Sequence, residues 1–169
     1  MRQIKVNSLL GNEIITLGDV KNYVRIDSDD DNAIITNMIT QARIWCENYI
    51  SRDIVPKNRT YYMDSTSGLF DLPFAPVATI ESVTVEGEAA TYTEYGLDDL
   101  SIELDGGPSL NVKITYTTAG LNDGLIKQAL LQMVSNYYDN RADFEIGKAV
   151  NEIPTNVKSI LSGYKTMFI

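Results

Sequence analysis

Histidine is absent from this sequence of 169 residues, and cysteine occurs once, at Cys46. Without histidine the chain cannot build a Ser-His-Asp triad, a Cys-His dyad or a metal site that uses imidazole. A single cysteine cannot form an internal disulfide or a CxxC redox centre. Composition therefore removes much of the common catalytic machinery before any motif is considered.

Basic residues are also scarce: 14 Lys and Arg stand against 23 Asp and Glu, for a net charge of −9. This balance disfavours a general nucleic-acid binder, whose phosphate contacts need a basic surface. No apolar run approaches the roughly 20 residues needed to cross a bilayer, and polar residues interrupt the first apolar stretch, unlike a secretory signal. We expect a soluble protein that folds in a reducing compartment and has no membrane partner.

Apolar residues recur at helical spacing in two long segments, from about Asp29 to Ser51 and from about Asp123 to Asn140. Two shorter helices are predicted. The first begins at Thr16, which has the capping-box spacing with Asp19, and the last opens at Pro154. Residues 141–152 are polar and lack periodicity, which predicts a mobile loop.

The pattern changes to short β-branched and aromatic runs between residues 58 and 120, separated by turn sequences such as Asp105–Pro108. These runs predict a mostly antiparallel sheet of about five strands. In the last run Val112, Ile114 and Tyr116 alternate with polar residues, so one face of that strand is expected to be buried.

The predicted fold is therefore α+β: a small helical bundle of two long and two short helices with an inserted β-sheet. We expect a single domain with an N-terminal extension (1–13), a bundle (14–57 and 121–164), a β insertion (58–120) and a C-terminal tail (165–169). Residues 59–120 hold two basic and ten acidic residues, a net of −8. Nearly all of the net charge thus falls on the insertion.

Candidate catalytic and metal-binding groups are weak. The acidic run 27–32 resembles the start of a calcium loop, but Asn32 and Met38 stand where that loop needs Gly and Glu. A helix start explains the run without an ion. Cys46 lies on an apolar stripe beside Trp45 and is expected to be an inert core residue. We predict no catalytic residue, no metal and no cofactor.

Candidate contact residues are clearer, because the chain has ten tyrosines against four phenylalanines. Tyr137 and Tyr138 are adjacent at a helix end and are followed by Arg141, so we expect one tyrosine to pack inward and the other to reach the surface. Tyr and Arg are enriched at protein interfaces. The tail offers further apolar groups, which either pack back on the bundle or dock on a neighbour: Tyr164, Met167, Phe168 and Ile169.

Four stretches, in order, resemble the head–tail connector (adaptor) proteins of tailed bacteriophages. The first is the short helix of 15–27 leading into Asp30–Ile35 and Glu47–Arg52. The others are the strand entry at 72–83, the helix of 125–141 ending in Tyr-Tyr-Asp-Asn-Arg, and the Ile-Pro close at 153–161. The resemblance covers about residues 14 to 165. It departs from the family pattern at residues 1–13, at Gly18 and in the acidity of the sheet insertion.

This resemblance implies a structural virion protein rather than an enzyme. Such proteins form a ring, typically of twelve copies, under the portal protein in the virion neck; they extend the DNA channel and receive the stopper or tail-completion protein. It implies assembly in the host cytoplasm and only transient, non-specific proximity to viral DNA. A closed ring needs two different patches on each subunit. Four acidic residues are expected to face the channel or a partner: Glu86, Glu88, Asp98 and Asp99.

Other functions stay open from the sequence alone. One is a different phage neck or tail-completion protein. Another is a non-viral α+β module that binds a ligand through an aromatic platform of Tyr92, Tyr95 and Tyr116. A hydrolase built only on carboxylates is a third.

Overall fold

The computed structural model describes residues 1–140 and 153–165. Their contacts group them into two compact units. The β unit comprises residues 1–12 and 51–121, and the helical unit comprises residues 13–50 and the described residues from 122 to 165. The predicted single domain stays a prediction. The predicted loop 141–152 lies outside the described residues.

The β unit contains eight strands in two sheets. The strands are β1 (Arg2–Leu9), β2 (Lys57–Thr66), β3 (Leu69–Asp71), β4 (Val77–Val85), β5 (Glu88–Ala89), β6 (Tyr92–Gly96), β7 (Leu100–Leu104) and β8 (Ser109–Thr118). One sheet has the order β1-β2-β8-β4-β5 and the other β3-β7-β6. Every pairing between these described strands is antiparallel.

The two sheets share one hydrophobic core. Phe70, Ile102 and Leu104 of the smaller sheet cluster with residues of the larger sheet such as Met63 and Val83. The alternation predicted for β8 is confirmed, since Val112, Ile114 and Tyr116 are fully buried and Lys113 between them is exposed. Alternation of apolar and polar residues is what a strand with one packed face requires.

Strand β1 lies in residues 1–13, for which the sequence predicts only an N-terminal extension. It pairs with β2 from Arg2 opposite Met63 to Leu9 opposite Lys57, at the edge of the larger sheet. All eight of its residues are exposed. Ile4 and Val6 alternate with polar residues over only a short run and are exposed, so the sequence signal for this strand is weak. Backbone pairing with β2 holds β1 in place, together with the side-chain amide of Asn7, which donates to Asn58 at 2.7 Å and to Thr60 at 2.9 Å.

The helical unit contains α1 (Leu17–Val24), α2 (Asn32–Ile50), α3 (Gly124–Asp139) and α4 (Thr155–Ser162). The predicted capping box is present: the Thr16 hydroxyl accepts from the Asp19 amide at 3.1 Å, and the Asp19 carboxylate accepts from the Thr16 amide at 2.7 Å. Helix α2 begins three residues later than predicted, because Asp29 closes a turn by accepting from the side chain of Lys21 and from Asn32.

Apolar stripes from α2 and α3 form the core of the helical unit. Ile35, Ile39 and Cys46 of α2 and Ile126 and Met133 of α3 are all at most 3% exposed. Two long and two short helices with a mostly antiparallel sheet confirm the α+β prediction. The strands of the described residues outnumber the five predicted, since β1, β5 and the short strands β3 and β7 carry weak sequence signals.

Candidate interaction surfaces

The four acidic candidates lie at two different ends of the β unit. Glu86 and Glu88 are exposed in the turn that joins β4 to β5, beside the turns around Thr66 and Pro108. Asp98 lies in the β6–β7 turn, where its carbonyl accepts from the amide of Val77, the first residue of β4. A nine-residue strand spans roughly 25–30 Å, so the four carboxylates do not form a single acidic surface.

The two ends also differ in their charge partners. Asp99 accepts a hydrogen bond from the Arg52 guanidinium at 2.7 Å, in an ion pair whose Asp side chain is about half exposed. Glu86 occupies a left-handed backbone position, with φ of 52°, and its amide donates to the carbonyl of Asn111. The acidic charge at the Asp98 end is thus partly neutralised by a cation on the same surface.

The tyrosine pair at the end of α3 is used within the helical unit. The Tyr138 hydroxyl donates to the carboxylate of Asp31 at 2.6 Å, which ties the end of α3 to the start of α2. Tyr137 is also half-buried, and burial, with a smaller effect from Cys46, raises its pKa. Both tyrosines are therefore partly covered within the helical unit, and the expectation that one packs inward while the other reaches the surface stays a prediction.

Tyr164 holds α4 against the start of α3. Its hydroxyl donates to Asp123 at 2.7 Å, and the same carboxylate oxygen caps α3 by accepting from the Leu125 amide at 2.7 Å. These two hydrogen bonds, the one from Tyr164 first, lower the pKa of Asp123. Of the remaining candidates, Arg141, Met167, Phe168 and Ile169 lie outside the described residues.

The β unit buries a charge cluster that sequence analysis did not detect. The carboxylate of Asp53, fully buried, accepts from Lys57 at 2.8 Å, from Arg59 at 2.6 and 2.7 Å, and from the Thr118 hydroxyl at 2.8 Å. Burial acts to raise the pKa of Asp53, but the Arg59 and Lys57 contacts outweigh it and the pKa is lowered. The Arg59 guanidinium also lies 3.7 Å from the centre of the Phe74 ring.

The helical unit buries a second charge cluster with the signs reversed. Arg43, 3% exposed, donates through Nε to both oxygens of Glu13 at 2.9 and 2.8 Å and through Nη1 to Glu47 at 2.8 Å. Desolvation acts to lower the pKa of Arg43, but the attraction of Glu47 and the contacts with Glu13 raise it. Both charges of helix α2 therefore point inward.

Helix α2 consequently places no charged residue of its own on its solvent side. Arg43 and Glu47 are the only ionisable residues of the segment 32–50, apart from Cys46 and Tyr49, and the structure describes that whole segment. We call the following residues, which recur at helical spacing, the α2 outward face: Ile34, Asn37, Gln41, Ile44, Trp45 and Asn48. Ile34 and Ile44 are 44% and 46% exposed. Trp45 stacks on Tyr49 with ring centres 5.1 Å apart, and the ammonium of Lys165 lies 5.0 Å from the Tyr49 ring.

Residues considered for chemistry occupy structural positions. Cys46 is fully buried, and desolvation, followed by the neighbouring Glu47, raises its pKa to about 12, as expected of a core thiol. Asp29 and Asp30 of the calcium-like run bind Lys21 and Ser28. Across residues 1–140 and 153–165, the side chains of His, Cys, Asp and Glu form no group of three that could hold a metal.

The aromatic platform of the ligand-binding alternative is not assembled. Tyr116 is fully buried in β8, where its hydroxyl donates to the carbonyl of Pro73. Tyr92 and Tyr95 lie on β6, in the other sheet. Three tyrosines of which one is in the core cannot form one binding surface.

Among the described helices, none combines the length and the apolar composition required to span a bilayer.

Solved structures of the same fold come from gene transfer agent particles. This chain is similar to a chain from the neck of an empty gene transfer agent (GTA) particle computed with C6 symmetry, with a TM-score of 0.77 and 16% identity. It is also similar to chains from the virion of a native GTA particle (TM-score 0.75, 16% identity) and from the neck of a native GTA particle computed with C12 symmetry (0.73, 15%). Each match covers 99% of this chain and 97% of the other. No curated protein sequence matches.

The sequence itself also assigns a family. Residues 13–167 match the sequence model of the head completion protein family, which covers most of the chain. The chain belongs to the head completion protein family. This membership confirms the resemblance to phage head–tail connector proteins that the sequence motifs indicated.

Proposed function

We propose that this chain forms a ring of twelve copies under the portal, in the neck of the virion. There it joins the DNA-filled head to a stopper or tail-completion protein and continues the DNA channel. It holds neighbouring proteins in place and catalyses no reaction, and it assembles in the host cytoplasm before it enters the particle. Contact with DNA is transient and independent of sequence.

The observation that carries this proposal is the end-to-end agreement in fold with chains from GTA necks. The match leaves no large part of either chain without a counterpart, and the family model spans residues 13–167. Those necks were computed with sixfold and twelvefold symmetry, and a ring of twelve copies satisfies both. A closed ring of one chain requires a heterologous interface, repeated from copy to copy.

Electron microscopy of the purified chain, alone and mixed with tail-less heads that carry the portal, tests the proposal. We expect twelvefold rings, either free or seated at the one portal vertex. A chain that stays a monomer at every concentration and leaves the heads unchanged would contradict the ring.

The C-terminal segment has a specific place in the proposal, as the part that docks on the portal. A variant ending at Lys165 keeps the contact of Lys165 with Tyr49 and lacks only residues 166–169. We expect it to fold and to lose attachment to heads, measured by co-sedimentation with them. Attachment equal to that of the full chain would refute a docking role for the segment.

A further inference from the structure

We propose that neighbouring copies join by placing the α2 outward face of one copy in a groove between α1 and α3 of the next. This inference rests on the proposed ring and names the two surfaces that build it. Both surfaces belong to the helical unit.

The first surface has the composition of an interface core. A helix on the outside of a domain normally carries charged residues on its solvent side, yet the nineteen residues of α2 place none there. Instead Ile34 and Ile44 are nearly half exposed, and Trp45 is held in a stack with Tyr49. Depletion of charge together with aromatic anchors distinguishes the centre of protein interfaces from ordinary surface.

Both charged residues of α2, Arg43 and Glu47, point into the helical unit, so α2 adds no charge to its own outward face. Arg43 is bound on both sides, by Glu13 before α1 and by Glu47 one turn further along α2. Because both α2 charges are at most 3% exposed, neither can move to the outward face without breaking buried ion pairs. The neutral face is therefore built into the packing of the helical unit.

The second surface is a groove of about 430 Å³ lined by residues of α1 and α3 and by the segment before α1. Ile14, Asn22, Tyr23 and Leu131 supply its apolar and neutral lining, and Tyr23 is 47% exposed. Its two charged lining residues, Asp19 and Lys127, have opposite signs and attract each other. The groove thus presents little net charge to a binding partner. An amphipathic helix that packs its apolar face into a hydrophobic groove is a common mode of protein recognition.

A second copy of this chain is the occupant that charge favours. Each copy carries a net charge of −9, so contact between two copies has the lowest electrostatic cost where neither surface presents net charge. The groove presents little net charge, and α2 adds no charge of its own to its outward face, beside which the ammonium of Lys165 lies near the Tyr49 ring. No residue of α2 lines the groove, so the two surfaces are separate patches, as a heterologous ring requires.

Cross-linking of co-expressed single-cysteine variants tests this pairing. Ile44→Cys places a thiol at the centre of the outward face, and Tyr23→Cys places one in the groove. The native Cys46 is fully buried with a raised pKa, so it contributes little background with a short bis-maleimide. Any product between the two variants joins different copies, because each copy carries only one accessible thiol.

We expect a cross-linked dimer in rings that contain both variants and none in rings of either variant alone. A dimer from Ile44→Cys alone would mean that two α2 faces meet, which overturns the face-to-groove pairing. Rings that form without any cross-link overturn it as well and leave the proposed ring intact. If the wild-type chain forms no ring, alone or on heads, the proposed function itself fails.

Substitution to aspartate gives an independent measurement. Ile44→Asp puts a charge on the neutral face, and we expect at least a tenfold loss of ring assembly, with unchanged circular dichroism. Leu125→Asp is the matched control, because Leu125 is 52% exposed on α3 and does not line the groove. Equal assembly by the two variants would overturn the inference.

Discussion

The two units of this molecule treat charge in opposite ways. The β unit displays acidic residues on exposed turns at both of its ends, around Glu86 and around Asp98. The helical unit turns the charges of its longest helix inward, onto Arg43 and its partners, and leaves the outward face of that helix neutral. The acidic turns that repel other copies and the α2 outward face that is proposed to bind another copy thus lie in different segments of the chain.

The buried clusters of the two units are mirror images in sign. In the β unit one carboxylate, Asp53, is held by two cations. In the helical unit one guanidinium, Arg43, is held by two carboxylates. Removing the central charge leaves like charges close together in a medium that screens them poorly, so each cluster can be broken by a single substitution.

The largest effect on stability is expected from Asp53→Asn. The change keeps the shape of the side chain but leaves the Lys57 and Arg59 charges buried without the anion between them. Loss of one member of a buried ion pair costs about 3–5 kcal/mol, and urea unfolding of the full chain measures it. Asp64→Asn is the control, because Asp64 is half exposed and pairs with the N-terminal amine; little change is expected there.

The same cluster predicts a pH dependence. The pKa of Asp53 is lowered in the folded protein, so its contribution is fully present above the unfolded-state value of about 3.9 and is lost as the pH falls through the folded value. Unfolding free energy measured from pH 6 downward should fall below about pH 4. In Asp53→Asn this part of the fall should be absent, and an identical acid profile for both proteins would contradict the assignment.

A smaller loss is expected from Arg43→Gln in the helical unit. Glu47 is buried, but Glu13 is 28% exposed and water can solvate it after the change. We therefore expect about 2–3 kcal/mol, below the usual range for a fully buried pair, again by urea unfolding. Arg25→Asn, at an exposed helix end whose left-handed backbone suits Asn, is expected to change stability by less than about 0.5 kcal/mol.

The smallest stability effect is expected from charge reversal at the exposed turns. Glu86→Lys with Glu88→Lys should leave the unfolding free energy within about 0.5 kcal/mol. In particles, basic side chains facing the channel would grip DNA phosphates, so we expect slower packaging and ejection. Asp98→Lys tests the other end of the β unit. Unchanged DNA packaging and ejection in both variants would contradict the expectation that the acidic turns face the DNA channel.

The sequence predicted best those elements that bury one regular face. The four helices and strand β8 carry periodic apolar residues, and each was placed within a few residues of its observed bounds. Strand β1 was missed because it buries no side chain. The sequence also could not predict that Glu86 and Asp98 lie far apart. Both residues follow strands in the chain, and only the antiparallel order of the sheets places them at opposite ends of the β unit.

The contact surfaces were the hardest to predict. Tyr138 and Tyr164 were selected for their residue type, but their hydroxyls bind Asp31 and Asp123 inside the helical unit. The α2 outward face did have a sequence signal: nineteen helical residues whose only charges are Arg43 and Glu47, four apart. That spacing puts both on one face, although the sequence could not show that this face is buried.

The most direct measurement is ring assembly on portal-bearing heads, compared by electron microscopy for Ile44→Asp and for Glu86→Lys with Glu88→Lys. If copies meet through the neutral helix face, the first variant should lose its rings and the second should keep them. Rings formed by Ile44→Asp and lost on reversal of the acidic turn would contradict the division of charge between the two units.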